Sequence, residues 1–136
     1  MLISRDMSEI PFIKMHGLGN DFVIVDGRKD NPNLGGDALR AIADRNRGVG
    51  YDQLIVLEPT KDATVFMRIY NADGSEAEAC GNATRCVAHM MMQETEASDV
   101  VIETVAGLLP ANKCSNGLVF VDMGKPKMDW QAIRFR

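Results

Sequence analysis

Residues 82–93, NATRCVAHMMMQ, decide the fold. The segment holds good helix formers, and apolar side chains stand on nearly every face of the helix they would build, among them Ala83, Val87 and Met91. A helix that is apolar all round is usually buried in a core. The sequence therefore predicts a central buried helix that the rest of the chain must surround.

Short strand patterns occur on both sides of this helix in the sequence. They lie at 12–15, 22–25, 54–57, 64–70, 100–105, 108–113 and 118–122. A peripheral amphipathic helix is predicted over 36–46, with Leu39, Ile42 and Ala43 on one face. Long parallel crossovers are mostly missing between these elements. About seven short strands and two helices favour an α+β fold, with a mainly antiparallel sheet curved around the central helix.

Composition excludes several classes of function. The 136 residues are 46% apolar and 25% charged, which is typical of one globular domain. The 15 Lys and Arg against 19 Asp and Glu leave a net charge of −4, so no nucleic-acid partner is expected. No apolar run approaches the roughly 20 residues of a membrane helix, so no membrane partner is expected either. The 3 cysteines lack disulfide or zinc spacing, which predicts no metal and a reducing, cytoplasmic location.

The densest chemical signal immediately precedes the central helix, in residues 71–86, NADGSEAEACGNATRC. Cys80 stands where the helix should begin, and the unpaired backbone N–H groups and the helix dipole there favour a thiolate. The same N–H groups would bind a carboxylate or phosphate, and Gly81 allows its close approach. The alternative is a small buried cysteine beside an ordinary helix cap. Cys86, inside the helix, and Cys114, at a strand end, are expected to be packed and inert.

Three amides in polar turns are further candidates. Asn20 stands in HGLGND between two strands, Gln53 follows RNRGVGYD at the head of another strand, and Asn71 ends a third. Polar residues in turns are common, so each alone is more simply structural. If they converge near Cys80, they would supply amide donors and acceptors suited to an amino-acid head group.

Three motifs stand out together: KMHGLGNDFVIVDGR, RNRGVGYDQL and YNADGSEAEACGNATRC. They resemble the N-terminal half of the diaminopimelate epimerase family, and the similarity runs from about residue 10 to residue 127. That family interconverts LL- and meso-diaminopimelate without pyridoxal phosphate or metal, so the resemblance implies no cofactor. Its fold has two similar halves, each a sheet wrapped around a central helix, with the substrate in the cleft between them.

The resemblance also implies roles for individual residues. Cys80 would be one of two catalytic cysteines. The residues that would contact the substrate are Asn20, Gln53, Asn71, Gly81 and Asn82. Inversion of an α-carbon removes a proton from one face and returns a proton to the other, so two opposed thiol groups are needed. The second cysteine, expected in a later GSGAC-type block, is absent, and the sequence therefore resembles one half of an active site.

The family also implies a division of the chain. An N-terminal extension is expected over 1–10, an epimerase N-terminal domain over 11–123, and the start of an interdomain segment over 124–136, with the second domain absent. The expected partners are a small-molecule substrate, diaminopimelate, the missing C-terminal half and, through an exposed apolar cleft face, a second copy of the chain. Such a chain alone would be inactive or nearly so. Two alternatives stay open: a stand-alone module that binds an amino-acid carboxylate, and a related isomerase of the same fold, such as a proline racemase.

Overall fold

A curled sheet with a helix against each face makes up most of the computed structural model, which describes residues 2–5, 8–17 and 19–123. The strands are β1 (Leu2–Arg5), β2 (Ser8–Pro11), β3 (Ile13–Gly17), β4 (Asn20–Asp26), β5 (Gln53–Glu58), β6 (Val65–Asn71), β7 (Glu76–Ala77), β8 (Asp99–Thr104), β9 (Gly107–Lys113) and β10 (Val119–Val121). The helices are α1 (Gly36–Ala43) and α2 (Gly81–Thr95).

The strands of the main sheet follow the order β10-β9-β8-β6-β5-β4-β3, with β7 paired to β6. Most neighbours are antiparallel, but β4 pairs with β5 in parallel and β6 pairs with β8 in parallel. Strands that run parallel need a crossover connection. Helix α1 lies in the first crossover and α2 in the second. The mainly antiparallel sheet predicted from the sequence is confirmed, and its two parallel pairs put one helix on each face.

The central strands contribute to two hydrophobic cores because successive side chains of a strand point to opposite faces. In β4, Phe22 and Ile24 belong to the core that contains α2, whereas Val23 and Val25 belong to the core that contains α1. The same alternation continues in β5. The face of α1 predicted from Leu39, Ile42 and Ala43 is buried in the second of these cores.

The predicted central helix is confirmed as α2. Its buried residues are Ala83, Thr84, Val87, Ala88, Met91 and Met92. The helix contacts β3 at one edge of the sheet and β10 at the other. Met15 of β3 and Val119 of β10 both pack against the core around α2. The sheet must therefore curl for both edges to reach one helix.

Two local predictions need correction. Helix α1 ends at Ala43 rather than at 46, because the chain turns back there: Gly48 N donates to Asp44 O at 2.8 Å and Gly50 N donates to Ile42 O at 2.9 Å. The described residues also contain ten strands rather than about seven. Strands β1, β2 and β7 were missed because they are short and depend on pairing with neighbours. The predicted interdomain segment, 124–136, lies outside the described residues.

Candidate active site

Cys80 is the residue at which helix α2 is entered. Its backbone is extended, with φ −153° and ψ 116°, and its side chain makes no capping hydrogen bond to the helix. Its carbonyl oxygen accepts the first backbone bond of the helix from Thr84 N at 2.9 Å and a second bond from Thr84 Oγ1 at 2.7 Å. The cysteine is half-buried against the core around α2. The backbone of Cys80 is thereby fixed, while its thiol makes no hydrogen bond to the start of the helix.

The first turn of α2 presents unpaired donors. The N–H groups of Gly81, Asn82 and Ala83 have no hydrogen-bond partner among the described residues, since the first bond of the helix is made by Thr84. Such groups, with the positive end of the helix dipole, attract an anion. A Cβ placed on Gly81 would meet only the Arg85 guanidinium, at 3.8 Å. The space over this turn is therefore open to a carboxylate.

A second helix residue, Asn82, is joined to the sheet by a long-range contact. Its Nδ2 donates to Asn20 Oδ1 at 2.9 Å, although the two residues are 62 positions apart. Its Oδ1 accepts a hydrogen bond from the Arg85 guanidinium. The start of α2 and the start of β4 are thus connected through two amide side chains.

A second pair of amides lies at the same end of the neighbouring strands. Gln53 Nε2 donates to Asn71 Oδ1 at 3.1 Å, and the two residues are register partners of β5 and β6. Asn71 Nδ2 donates in turn to Ser75 Oγ at 3.1 Å. Ser75 donates to Asp73 Oδ1 through its hydroxyl at 2.6 Å and its backbone N–H at 2.9 Å, and these bonds hold the pKa of Asp73 below its usual range.

All three predicted amides of the sheet face α2. Residues two apart in a strand point to the same face of the sheet. Asn20 therefore shares a face with Phe22 of β4, Gln53 with Ile55 of β5, and Asn71 with Ile69 of β6. Phe22, Ile55 and Ile69 all belong to the core around α2. The register places Phe22 beside Gln53, and Gln53 beside Asn71. The side chains therefore gather at one end of the sheet, on the face where α2 begins.

A charged clamp that sequence reasoning did not find holds two of these strands together. Asp21 N donates to Asp52 Oδ2 at 2.8 Å, and Asp52 N donates to Asp21 O at 3.0 Å. Arg45 reaches both carboxylates, at 2.9 and 3.1 Å. Bonds from Arg45 and His16 keep the pKa of Asp21 below its usual range. Since Asn20 precedes Asp21 and Gln53 follows Asp52, the clamp fixes the spacing of these two amides.

The other cysteines behave differently from one another. Cys86 is half-buried in α2, and burial raises the pKa of its thiol, which fits the expectation of an inert residue. The expectation that Cys114 is packed is wrong: it follows the last residue of β9 and is exposed. Its backbone N donates to Leu118 O at 2.7 Å within the turn to β10, so its place there depends on the turn rather than on burial.

The described part of the chain contains neither a metal-binding cluster nor a membrane-spanning helix. No cluster of three or more His, Cys, Asp or Glu side chains is arranged to hold a metal ion in residues 2–5, 8–17 and 19–123. Within the same ranges, neither helix has the length and apolar character needed to span a bilayer.

The fold defines a class of proteins in which solved epimerases and isomerases occur. One structural relative is a hydroxyproline epimerase from Agrobacterium vitis with bound trans-4-hydroxy-L-proline, with a TM-score of 0.60 and 21% identity over 81% of this chain and 40% of that chain. Another is a methylitaconate-delta-isomerase, with a TM-score of 0.61 and 20% identity over 88% of this chain and 66% of that chain. These similarities confirm the α+β fold with a sheet curled around a central helix.

Sequence similarity is more specific. The sequence model of the diaminopimelate epimerase family matches residues 12–129. The diaminopimelate epimerase of Acidiphilium cryptum is 56% identical over 123 residues, which are 90% of this chain and 44% of that protein. That of Gluconobacter oxydans is 47% identical over 126 residues, 91% of this chain and 47% of that protein. The chain belongs to the diaminopimelate epimerase family, and it spans about half the length of these relatives.

Proposed function

We propose that this chain forms the N-terminal half of a cofactor-independent epimerase that interconverts LL- and meso-diaminopimelate. Cys80 exchanges the α-proton on one face of the substrate. The observation that carries the proposal is a half-buried cysteine at the uncapped start of α2, beside N–H groups without partners among the described residues. The alternative of a proline racemase is disfavoured because the similarity to such structures is 21%, against 56% for a diaminopimelate epimerase.

The proposed chemistry uses the start of α2 in two ways. The substrate α-carboxylate lies over Gly81 and Asn82, whose N–H groups donate to it. The Cys80 thiolate takes the α-proton, so that an S–H bond forms, the Cα–H bond breaks and the electron pair moves into the carboxylate. Donors aimed at a developing negative charge stabilise the transition state. A thiol of the C-terminal half then returns a proton to the opposite face.

The amides of the sheet hold the rest of the substrate. The charged clamp and the sheet register fix the spacing of the strands that carry these amides, which are Asn20, Gln53 and Asn71. Amide groups bind carboxylates and ammonium groups through both donors and acceptors. Their location on the α2 face supports contact with a substrate held at the start of that helix.

The proposal predicts little epimerase activity for residues 1–136 alone. A positioned general acid is typically worth about 10²–10⁴-fold in rate, and this chain contributes only one of the two thiols. An open cleft also leaves the helix donors in water, where they are worth less than in a closed site. Negligible conversion of LL to meso substrate is expected; Cys80-dependent turnover at the rate of a complete relative would contradict this.

The decisive experiment supplies a C-terminal half from a relative. A hybrid enzyme carries residues 12–123 in place of the matching segment of the Acidiphilium cryptum relative. Conversion of LL- to meso-diaminopimelate is expected, and Cys80→Ala should abolish it. Cys114→Ala is the matched control, because Cys114 is exposed and lies outside the site. Undiminished activity of the Cys80→Ala hybrid would refute the assignment of Cys80.

Thiol reactivity gives a second test that needs no turnover. In a Cys114→Ser background, iodoacetamide at neutral pH is expected to label Cys80 before Cys86. Cys80 lies at the open start of α2, whereas burial raises the pKa of the Cys86 thiol and so lowers its reactivity. Peptide mapping over time measures both rates, and faster labelling of Cys86 would remove Cys80 from its proposed role.

The remaining features support a cytoplasmic protein without a nucleic-acid or membrane partner. The net charge is −4, and all three cysteines are free thiols. Large apolar side chains stand exposed around β9 and β10, with Leu108 at 52%, Leu118 at 66% and Phe120 at 60% exposure. Such a surface supports contact with the C-terminal half or with a second copy of the chain. Sedimentation velocity of the chain and of the hybrid would separate the two.

A further inference from the structure

The four amide side chains of the site belong to two hydrogen-bond series that run in opposite directions. One series begins at a group that can only donate, Arg85, and the other ends at a group that can only accept, the Asp73 carboxylate. The direction of every bond between these ends and the amides is therefore determined by chemistry. That direction decides which atom is left for a ligand on the amide farthest from the charged end of each series, Asn20 in one and Gln53 in the other.

The first series passes from Arg85 to Asn20. Because a guanidinium has no acceptor, Asn82 must turn Oδ1 toward Arg85 and Nδ2 toward the sheet. Asn82 Nδ2 then donates to Asn20 Oδ1 at 2.9 Å. This leaves Asn20 with its Nδ2, a donor, which has no partner among the described residues.

The second series passes from Gln53 to Asp73. The Ser75 hydroxyl gives its single proton to Asp73 Oδ1 at 2.6 Å, so its oxygen can only accept from Asn71 Nδ2. Asn71 must then present Oδ1 to Gln53, whose Nε2 donates at 3.1 Å. This leaves Gln53 with its Oε1, an acceptor, which has no partner in the described part of the chain.

Both remaining atoms are open to solvent. In residues 10–16 and 19–123, no buried side-chain nitrogen or oxygen lacks a hydrogen-bond partner, and Asn20 and Gln53 are both only partly buried. Each faces the side of the sheet on which α2 begins. The site therefore offers one fixed donor and one fixed acceptor on neighbouring strands.

The use of Arg85 also sets it apart from other arginines of the chain. Arg28, Arg45 and Arg68 each pair with two carboxylates. Arg85 makes no ion pair with the described residues and binds an amide oxygen instead. Its charge is therefore used to orient Asn82 rather than to neutralise an acid.

The geometry points to Arg85 and Asp73 as positioning residues that polarise the amides, so that Asn20 donates to a carboxylate and Gln53 accepts from an ammonium group of an amino-acid ligand. This inference rests on the proposed function for the identity of the ligand. It does not rest on that function for the orientation of the amides, which belongs to the free chain. The two parts can therefore be tested separately.

Side-chain amide exchange in the 15N-labelled chain tests the orientation without any turnover. The NH2 protons of Asn82 and Gln53 are expected to exchange more slowly than those of exposed Asn112. Arg85→Gln should speed the exchange of Asn82 by about threefold to tenfold, as for loss of one hydrogen bond. Arg85→Lys, which retains a pure donor, should restore protection, and Arg47→Gln is the matched control. Unchanged exchange in Arg85→Gln would overturn the role of Arg85.

The Asp73 series is tested in the same spectra. Asp73→Asn introduces a donor where only an acceptor stood, so Ser75 and Asn71 lose their imposed direction. The exchange of Gln53 is expected to rise by about threefold to tenfold. Asp62→Asn, in an exposed loop, should leave it unchanged. Equal protection of Gln53 in Asp73→Asn and in the parent chain would overturn the role of Asp73.

Kinetics of the hybrid enzyme then test what the orientation is for. Arg85→Gln and Asp73→Asn should each raise KM by about tenfold with little change in kcat, because these amides bind the ground state and the transition state alike. Arg85→Lys should recover most of the affinity. An unchanged KM for both variants would overturn the inference. Activity that survives Cys80→Ala would refute the proposed function instead, and would leave the exchange results standing.

Discussion

Gly48 and Gly81 lie beside helix ends and yet stand in opposite surroundings. A Cβ on Gly48 would lie 2.2 Å from Ala41 O and 2.6 Å from Ile42 O, so the backbone of α1 occupies the space that a side chain needs. A Cβ on Gly81 would meet only the end of Arg85, at 3.8 Å. The protein itself explains the first glycine. The second has no such explanation among the described residues, and the ligand of the proposed function would supply one.

The two helix ends beside these glycines differ in the same way. The carboxyl end of α1 is closed by the chain that follows, since Gly48 and Gly50 donate to carbonyls of Asp44 and Ile42. At the start of α2, the first three N–H groups have no partner among the described residues, and the Cys80 side chain makes no capping bond. The bonds to the end of α1 serve the stability of the fold, whereas the open donors at the start of α2 are available to the ligand of the proposed function.

The largest expected effect is that of Gly48→Ala on stability. The added methyl group collides with backbone rather than with a side chain that can move, so the loop or the end of α1 must shift. We expect the free energy of unfolding to fall by about 3 kcal/mol. Urea unfolding followed by circular dichroism measures it, and a loss as small as that of a surface substitution would show that the closed end of α1 yields easily.

Gly81→Ala tests the other glycine of the comparison. A loss of stability as large as that of Gly48→Ala would show that the two glycines do not differ in their surroundings. Stability should be unchanged or rise by up to about 1 kcal/mol, because alanine is the better helix former and nothing obstructs it. In the hybrid enzyme the same methyl group should displace the substrate, and kcat/KM should fall about 10²-fold. A stable and fully active Gly81→Ala hybrid would show that no ligand approaches this turn.

Tyr51→Phe tests a second contact that stabilises α1. The ring is buried, and its hydroxyl donates to Leu39 O of α1 at 2.7 Å, so we expect a loss of about 1 kcal/mol. Burial also raises the pKa of Tyr51 to about 12. Stability should therefore fall as the pH rises from about 10 toward that value, since the unfolded chain ionises first. The fall should be weaker in Tyr51→Phe; an identical alkaline profile would place its cause elsewhere.

The smallest effect is expected near the carboxyl end of α2, where Arg28 forms ion pairs with two carboxylates. Arg28 binds Asp26 at 2.7 Å and Glu94 at 2.6 Å, and lowers the pKa of both carboxyl groups. These partly exposed pairs should contribute about 1 kcal/mol above pH 4 or so, and lose it as the pH falls through the lowered pKa values. The stability difference between the parent and Arg28→Met should shrink in acid. A constant difference down to pH 3 would assign the effect to packing of the Arg28 stem.

Periodicity carried most of the fold prediction. The apolar pattern of 82–93 gave the buried helix, and the spacing of Leu39, Ile42 and Ala43 gave the buried face of α1. The end of α1 was missed because it is set by hydrogen bonds from Gly48 and Gly50, which depend on where the loop travels. Local sequence therefore predicts an amphipathic face better than the residue at which its helix stops.

The site was predictable in its residue types and not in its connections. Motifs pointed to Cys80 and the amides, but the bond between Asn82 and Asn20 joins positions 62 apart. The Asp21–Asp52 clamp depends on the parallel register of β4 and β5, which no local pattern specifies. Cys114 was misjudged because cysteine is usually buried, whereas this one stands in the tight turn after β9.

The curl of the sheet has a consequence for the order in which the chain folds. Helix α2 is covered by β3, which begins at Ile13, and by β10, which ends at Val121. A ribosome must therefore release nearly all of this segment before the apolar face of α2 can be closed. Contacts between such distant parts of a chain form slowly, and unshielded methionines attract chaperones in the meantime. Cotranslational folding of the core around α2 can be completed only after β10 has left the ribosome, although β3 is synthesised long before.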